Sequence, residues 1–373
     1  MKKTLFVMFD FPPKKGGAQI YNWDMVRALP REKVVILAPK RQGWAEFDRE
    51  SGYKTFRLRE EWMEKMIIPA LIVIVPLLAL REDIELIWFS KYSRLSWFIV
   101  LITKSILQIP YAMSIFGEDL AWAQRDFGLT IPKIVDGLKN RLIKQADTIV
   151  AISEFSASFL PNGIAYKVVY PSIALAEGNS YSEKKNKNDD RPLGCVHFLS
   201  IGRNAKKKGF DLVLRALAKG LPNVPRYRYT IVTDKQDMLF LEKLAEELGI
   251  RQNVKIISDI SEQYRRWLFI NADVFVMPSR IEGFGIVFLE AAFYGLCSIG
   301  SNSGGIPEAI KNGETGLLVE NENIDGLRIN MSLLSTDSDL RFQLAASARH
   351  RCIKEFSWPR FADQWRNLFL QMK

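Results

Sequence analysis

The chain has 373 residues, which predicts two domains and excludes a single small module. Hydrophobic residues make up 48% and charged residues 25%, a composition that excludes disordered and fibrous proteins. Lysine and arginine number 52 against 42 acidic residues, and the formal charge of +10 favours an anionic partner: nucleic acid, acidic lipid or a phosphorylated small molecule.

The distribution of charge argues against nucleic acid. Residues 1–190 hold 27 basic and 22 acidic residues (+5), and residues 191–373 hold 25 and 20 (again +5), with no arginine-rich tail. The 3 cysteines are far apart, which indicates a reducing compartment and no disulfide framework. With only 2 histidines, zinc chemistry and a serine triad are disfavoured. We expect a cytoplasmic protein without a metal site.

Short, β-rich apolar runs alternate with helical patterns along the chain. The predicted strands of the first half are residues 5–9, 34–38, 84–89, 111–115 and 148–152. Those of the second half are residues 196–201, 229–232, 254–257, 274–277 and 297–300. This alternation predicts an α/β protein with two doubly wound parallel sheets. A segment almost without apolar residues separates the halves, so we expect domains over 1–177 and 193–355 with a linker over 178–192.

Residues 66–80 form a long uncharged stretch. Its 15 residues include two prolines and fall short of the ~20 that a spanning helix needs. A helix buried against the sheet is favoured, and a helix partly sunk in a bilayer interface remains the alternative.

In doubly wound sheets, ligands bind at the carboxyl ends of the strands, so function is sought in the loops that follow them. Gly16 and Gly17 follow the first strand and open a helical pattern, where free backbone amides suit an anion. The strand over 196–201 runs into a turn that contains Arg203 and Lys208, two cations able to hold a diphosphate. A plain glycine turn and a solvated lysine run are the simpler alternatives.

The densest motif follows the strand over 274–277. Glu282 lies on a glycine-rich loop, and Glu290 lies eight residues on, in the helix that the loop opens. Carboxylates in such places accept hydrogen bonds from sugar or ribose hydroxyls. Further helix-entrance and turn motifs follow at residues 303–308 and 312–319.

Together these motifs resemble those of the retaining, nucleotide-sugar-dependent glycosyltransferases of family 4, whose GT-B fold has two facing Rossmann-like domains and a cleft between them. The opening over residues 10–19 is similar to the branch of bacterial mannosyltransferases that modify phosphatidylinositol mannosides. The resemblance implies that residues 1–177 bind the acceptor and residues 193–355 the nucleotide sugar. It also implies that residues 356–373 form a last helix crossing back to the first domain.

The resemblance also implies roles for individual residues. Arg203 and Lys208 would neutralise the donor diphosphate, Glu282 would contact the donor sugar, and Glu290 would hold the ribose. The loop residues Gly283, Phe284 and Gly285 would add donor contacts, the last two through backbone amides. Gly16 and Gly17 would sense the β-phosphate or the acceptor. Fixed cations stabilise the leaving group, so no metal or other cofactor is expected.

The chain departs from the family pattern at several places. Phe116 stands where many members have histidine, and Asp119 or Glu118 would supply polar contacts there, which makes Asp119 a candidate catalytic residue. Residues 233–235 replace a glycine-rich loop, and residues 295–298 depart from the usual Gly-Leu-Pro-Val. These changes bear on donor identity and leave the phosphate clamp and the glutamate pair intact.

The expected activity is transfer of a hexose, such as mannose or glucose, from a nucleoside-diphosphate sugar to a glycan or lipid-linked acceptor in cell-envelope or exopolysaccharide synthesis. The basic charge and the apolar N-terminal segments favour peripheral contact with an anionic membrane, at the inner face of the plasma membrane. The alternatives are a catalytically degenerate partner subunit, or an epimerase or phosphorylase on the same fold.

Overall fold

The computed structural model describes residues 1–14, 16–60, 63, 68–90, 100, 103–117, 140–173 and 194–372. The chain divides into two compact units: residues 1–172 with 358–373, and residues 173–357. The linker predicted over 178–192 lies outside the described residues.

The described part of the first unit is built on one parallel sheet. Its strands are β1 (Thr4–Val7), β2 (Val34–Lys40), β3 (Lys54–Arg59), β4 (Leu86–Phe89), β5 (Tyr111–Ile115), β6 (Thr148–Ala151) and β7 (Lys167–Val168). They lie in the order β3-β2-β1-β4-β5-β6-β7. Thr4 pairs with Val34 on one side and with Leu86 on the other, so β1 is central. Its four residues are fully buried, as expected for a parallel strand covered on both faces.

Helices cover this sheet: α1 (Gly17–Arg27), α2 (Trp44–Ser51), α3 (Ile68–Arg81) and the single turn α4 (Glu154–Ala157). The apolar stretch predicted as a helix is α3, and its two faces differ. Leu71, Val75 and Ala79 are buried in the core, whereas Val73, Leu77 and Leu80 are 56%, 59% and 60% exposed. In the described part of the chain, no helix has both the length and the apolar character to cross a bilayer.

The second unit repeats the scheme in its described part. Its strands are β8 (Val196–Ile201), β9 (Tyr227–Val232), β10 (Val254–Ile257), β11 (Val274–Met277), β12 (Cys297–Ser301) and β13 (Leu317–Val319). They lie in the parallel order β10-β9-β8-β11-β12-β13. Its helices are α5 (Phe210–Ala218), α6 (Lys235–Glu247), α7 (Glu262–Asn271), α8 (Ile286–Phe293), α9 (Ile306–Ala309), α10 (Ile324–Thr336) and α11 (Ser338–Glu355).

The last helix, α12 (Trp358–Gln371), belongs to the first unit. Trp365 is fully buried, with its ring 5.2 Å from that of Trp88 on β4 and 6.2 Å from that of Tyr21 on α1. Arg366 Nε donates to the Ala28 carbonyl at 2.9 Å, which satisfies an open carbonyl just after α1 ends. These contacts pack α12 against β4 and α1.

These sheets confirm the predicted α/β class of two doubly wound parallel sheets. The sequence analysis does not identify β3, β7 and β13. Each of these lies at or next to a sheet edge and is short or only partly buried, so its apolar pattern is weak. At the turn predicted over 312–316, Gly313 N donates to the Gly316 carbonyl at 2.9 Å, and the chain then enters β13.

Candidate active site

Lys208 and Glu282 form an ion pair between Lys208 Nζ and Glu282 Oε2. They come from the loops that follow β8 and β11, and these strands are neighbours in the second sheet although they lie far apart in sequence. The strand order of the sheet reverses at this point, which is where doubly wound sheets bind ligands. Both side chains are partly open to solvent, at 16% and 18% exposure, so an incoming ligand can reach them.

Backbone contacts fix the two loops against each other. Gly209 has φ +71°, and a Cβ there would lie 2.2 Å from the Pro278 carbonyl oxygen. No side chain fits in that space, so only glycine allows the loops to approach so closely. Arg280 N also donates to the Lys207 carbonyl at 2.9 Å. The spacing of Lys208 and Glu282 is therefore set by backbone, not by the flexible side chains themselves.

Arg280 holds these loops through its side chain. Its guanidinium forks onto Asp211 with two bonds of 2.9 Å, donates to Glu322 at 2.7 Å, and donates to the Lys206 carbonyl. The hydrogen bond to Asp211 raises the pKa of Arg280 further above its ordinary value, against a smaller opposing effect of burial. The sequence analysis missed Arg280, because its partners are far away in the chain and no spacing signal marks them.

A second glycine-rich segment supports the Glu282 loop from behind. Gly305 N donates to the Glu282 carbonyl at 2.8 Å, and a Cβ on Gly305 would lie 2.1 Å from the Gly283 carbonyl oxygen. Phe284 is buried, with its ring 5.6 Å from that of Phe356. Gly285 then caps α8 with a left-handed backbone. The predicted loop residues thus form one tightly supported turn at the start of a helix.

Glu290 lies in α8 and is held by a residue that the sequence analysis did not identify. Arg265 on α7 donates from Nη1 to Glu290 Oε1 at 2.7 Å and from Nη2 to Oε2. The Glu290 side chain is 9% exposed and that of Arg265 is 22% exposed. The one signal available in the sequence is an arginine in the first turns of the helix after β10, which is too common to be informative.

The remaining predicted residues are spread over both units. Arg203 is exposed, and no ion pair to it occurs in the described part of the chain. Gly16 caps α1 and Gly17 is its first residue, both in the first unit. Phe116, at the end of β5, lies with its ring 5.5 Å from that of Tyr21, in an aromatic cluster. Asp119 lies outside the described residues, so its proposed catalytic role stays a prediction.

Arg57 on β3 organises the loop that precedes Gly16. The arginine side chain is 1% exposed and forks onto Asp48 at 2.6 and 3.0 Å. Arg57 Nη1 donates to the carbonyls of Pro12 and Pro39, each at 3.0 Å. A single buried guanidinium therefore holds the first loop to β2 and α2.

Comparisons with known proteins point to one class of enzyme. The family model for glycosyl transferases group 1 matches residues 180–351. The chain is 26% identical to a GDP-mannose-dependent alpha-(1-6)-phosphatidylinositol monomannoside mannosyltransferase of Mycolicibacterium smegmatis, over 95% of this chain and 94% of that protein. The corresponding monoacylated-lipid mannosyltransferase of Corynebacterium glutamicum is also 26% identical, over 98% of this chain and 97% of that protein.

Solved structures share the fold at low sequence identity. Sucrose-phosphate synthase from Thermosynechococcus elongatus superposes with a TM-score of 0.79 at 19% identity, covering 100% of this chain and 99% of its own. HepE of Anabaena, solved with UDP and glucose, gives 0.73 at 17% identity and covers 99% of each chain. The protein is thus a glycosyltransferase with two Rossmann-like domains, the GT-B fold.

Proposed function

We propose that the protein transfers a hexose from a nucleoside-diphosphate sugar to a lipid-linked glycan acceptor of the cell envelope, with retention of anomeric configuration. The observation that carries the proposal is the pairing of Lys208 with Glu282 at the ends of neighbouring strands. A cation and a carboxylate at one point match a donor that has a diphosphate next to a sugar.

In this proposal, Lys208 and the exposed Arg203 bind the diphosphate. Binding releases Glu282 from Lys208, and its carboxylate then accepts hydrogen bonds from the donor sugar. The bond between the anomeric carbon and the β-phosphate oxygen breaks, and its electron pair stays on the phosphate, where the two cations stabilise it. The acceptor hydroxyl oxygen bonds to the anomeric carbon on the same face, and its proton passes to the departing phosphate oxygen.

The named relatives support the substrate classes. Two of them are mannosyltransferases that use GDP-mannose and act on a phosphatidylinositol monomannoside. HepE, which shares the fold, was solved with UDP and glucose. We therefore propose GDP-mannose and UDP-glucose as the first donors to test, with a glycolipid as acceptor. Lys208 and Arg203 supply the positive charge in this scheme, so transfer is expected to continue at an unchanged rate in EDTA.

The first experiment measures the melting temperature with UDP, GDP, ADP and their hexose derivatives, because a ligand that binds only the folded state raises it. Transfer from the stabilising donor is then measured in Lys208→Ala, Glu282→Gln and a matched control. Lys219→Ala suits as the control, because Lys219 forms an exposed pair with Asp325 at 2.9 Å. We expect transfer to fall at least 100-fold in the first two variants and to be unchanged in the third.

Two results would refute the proposal. Transfer at the wild-type rate by Lys208→Ala would remove the proposed diphosphate site. Failure of every nucleotide to raise the melting temperature, with an acceptor lipid present, would favour the catalytically degenerate partner subunit instead.

We further propose that the protein works as a peripheral protein on an anionic membrane at the inner face of the plasma membrane. Val73, Leu77 and Leu80 repeat at helical spacing along α3 and form an exposed apolar stripe. The protein as a whole carries a formal charge of +10. An apolar stripe on a protein of positive net charge matches an anionic lipid surface.

Sedimentation with phosphatidylcholine vesicles, with and without phosphatidylglycerol, tests the membrane proposal. Binding is expected only to the anionic vesicles, to weaken as salt rises, and to be lost in Leu77→Asn. Ile329→Asn is the matched control, since Ile329 on α10 is 56% exposed and lies in the other unit. Equal binding by both variants, or no binding at low salt, would overturn the proposal.

A further inference from the structure

The Arg265–Glu290 pair leaves half of the Glu290 acceptor capacity unused. An ionised carboxylate has about four acceptor positions, two on each oxygen. Arg265 Nη1 takes one on Oε1, at 2.7 Å, and Nη2 takes one on Oε2. One position remains on each oxygen, on its outer side, facing away from Arg265 and from the other oxygen. A ribose hydroxyl can donate to such a position.

The fork also fixes the carboxylate in place. The Glu290 side chain is 9% exposed, and two hydrogen bonds from one guanidinium hold both of its oxygens. A bidentate contact also removes side-chain rotation that ligand binding would otherwise have to freeze.

Arg265 is itself held in position from its own helix. Glu262 lies 3.6 Å from Arg265 Nη1, and the guanidinium lies 5.3 Å from the centre of the Phe269 ring. Burial alone would lower the pKa of Arg265, but the Glu290 carboxylate more than offsets this and raises it. The arginine therefore carries its positive charge at neutral pH.

We propose that Arg265 is a positioning residue that presents a remaining acceptor position of Glu290 to the 2′-hydroxyl of the donor's ribose. The inference rests on the proposed nucleotide-sugar donor and on the ribose role that the family resemblance implies for Glu290, and it adds the residue that makes this role effective. Arg265 touches no substrate in this scheme, so removing it should affect recognition of the ribose and not of the diphosphate.

The test is calorimetric binding of UDP, GDP and their 2′-deoxy analogues to the full chain and to variants. The readout is the ratio of the Kd of the deoxy nucleotide to that of the ribonucleotide, in which a general loss of affinity cancels. For the wild type we expect a ratio of about ten or more, because the deoxy nucleotide loses a hydrogen bond to a charged group. Arg265→Gln and Glu290→Gln should each bring the ratio to within about twofold of one, and Arg265→Lys should restore part of it.

Arg251→Gln is the matched control, because Arg251 pairs with Glu242 at 3.2 Å in a partly exposed setting away from Glu290 in the chain and should keep the wild-type ratio. If Arg265→Gln keeps the wild-type ratio while Glu290→Gln loses it, the positioning role is wrong and the ribose role of Glu290 stands. If Glu290→Gln also keeps the ratio, or the wild type has none, the ribose role itself is wrong. Should Arg265→Gln fail to fold, the Arg265→Lys ratio decides, since an unchanged ratio in it overturns the need for a fork.

Discussion

Asp24 offers a test of the first unit that can be worked out from its surroundings. The residue lies on α1 with 2% exposure, 2.9 Å from Arg27 Nη2, and it accepts a hydrogen bond from Ser172 Oγ at 3.0 Å. Burial raises the pKa of Asp24 from 3.8 to about 6, although Arg27 and Ser172 act in the opposite direction. The folded protein therefore binds this proton more tightly than the unfolded chain does.

The sign of the pH effect follows from that difference. Between pH 3.8 and about 6, the folded state holds the proton of Asp24 and the unfolded state has lost it, so this group stabilises the fold at low pH. The contribution is complete below pH 3.8 and is lost as pH rises through about 6. A shift of about two pKa units corresponds to a loss of about 3 kcal/mol.

The assay compares Asp24→Asn with the wild type. From pH 4 to pH 7, the unfolding free energy of the variant minus that of the wild type should rise by about 3 kcal/mol, because asparagine has no charge to desolvate. Urea unfolding followed by tryptophan fluorescence suits the first unit, since of the 9 tryptophans only Trp267 lies in the second. Asp363→Asn, which removes the carboxylate of an exposed pair with Arg366, is the control variant. A difference that does not change with pH for Asp24→Asn would refute the raised pKa.

Three further tests, two of them with a control variant, concern how the loops are held. Gly209→Ala should destabilise the second unit by at least ~3 kcal/mol in urea unfolding followed by circular dichroism, whereas Gly220→Ala, with a similar φ of +75° and open space around it, should cost about 1 kcal/mol. Arg57→Met should destabilise the first unit by about 3–5 kcal/mol, because it leaves Asp48 and two carbonyls without their donor. A loss of unfolding free energy below ~1 kcal/mol would contradict that reasoning. Arg280→Met should raise the KM for the nucleotide sugar at least tenfold. Glu322→Gln, which removes only an exposed partner of Arg280, should leave the KM within twofold of the wild-type value. Equal effects of the two substitutions would contradict the role of Arg280 in holding the loops.

Much of the fold could be predicted because parallel strands that are buried on both faces have continuous apolar sequences. Residues 196–201, 254–257 and 274–277 are strands with the predicted bounds. Strand β3 has the sequence Lys-Thr-Phe-Arg-Leu-Arg and lies at a sheet edge, where charged side chains reach solvent and interrupt the apolar run.

The candidate site was predictable as motifs but not as contacts. Lys208, Glu282 and Glu290 each stand in a recognisable loop or helix, so their presence could be predicted. Their pairing depends on strand order, which a single sequence does not give, and so the ion pair of Lys208 with Glu282 was not expected. The supporting arginines were missed for the same reason, since Arg265 and Arg280 act on partners 25 and 69 residues away.

The return of α12 to the first unit has a consequence for biosynthesis. Residues 173–357 leave the ribosome before α12 does, so the second unit can fold while the first still lacks its last helix. During that interval Trp88 and Phe6, whose rings lie 5.3 and 5.8 Å from that of Phe369 in the finished protein, are without this cover. The first unit is thus begun before the second and completed after it, and a nascent chain that stalls before residue 358 is expected to display an aromatic surface that chaperones can bind.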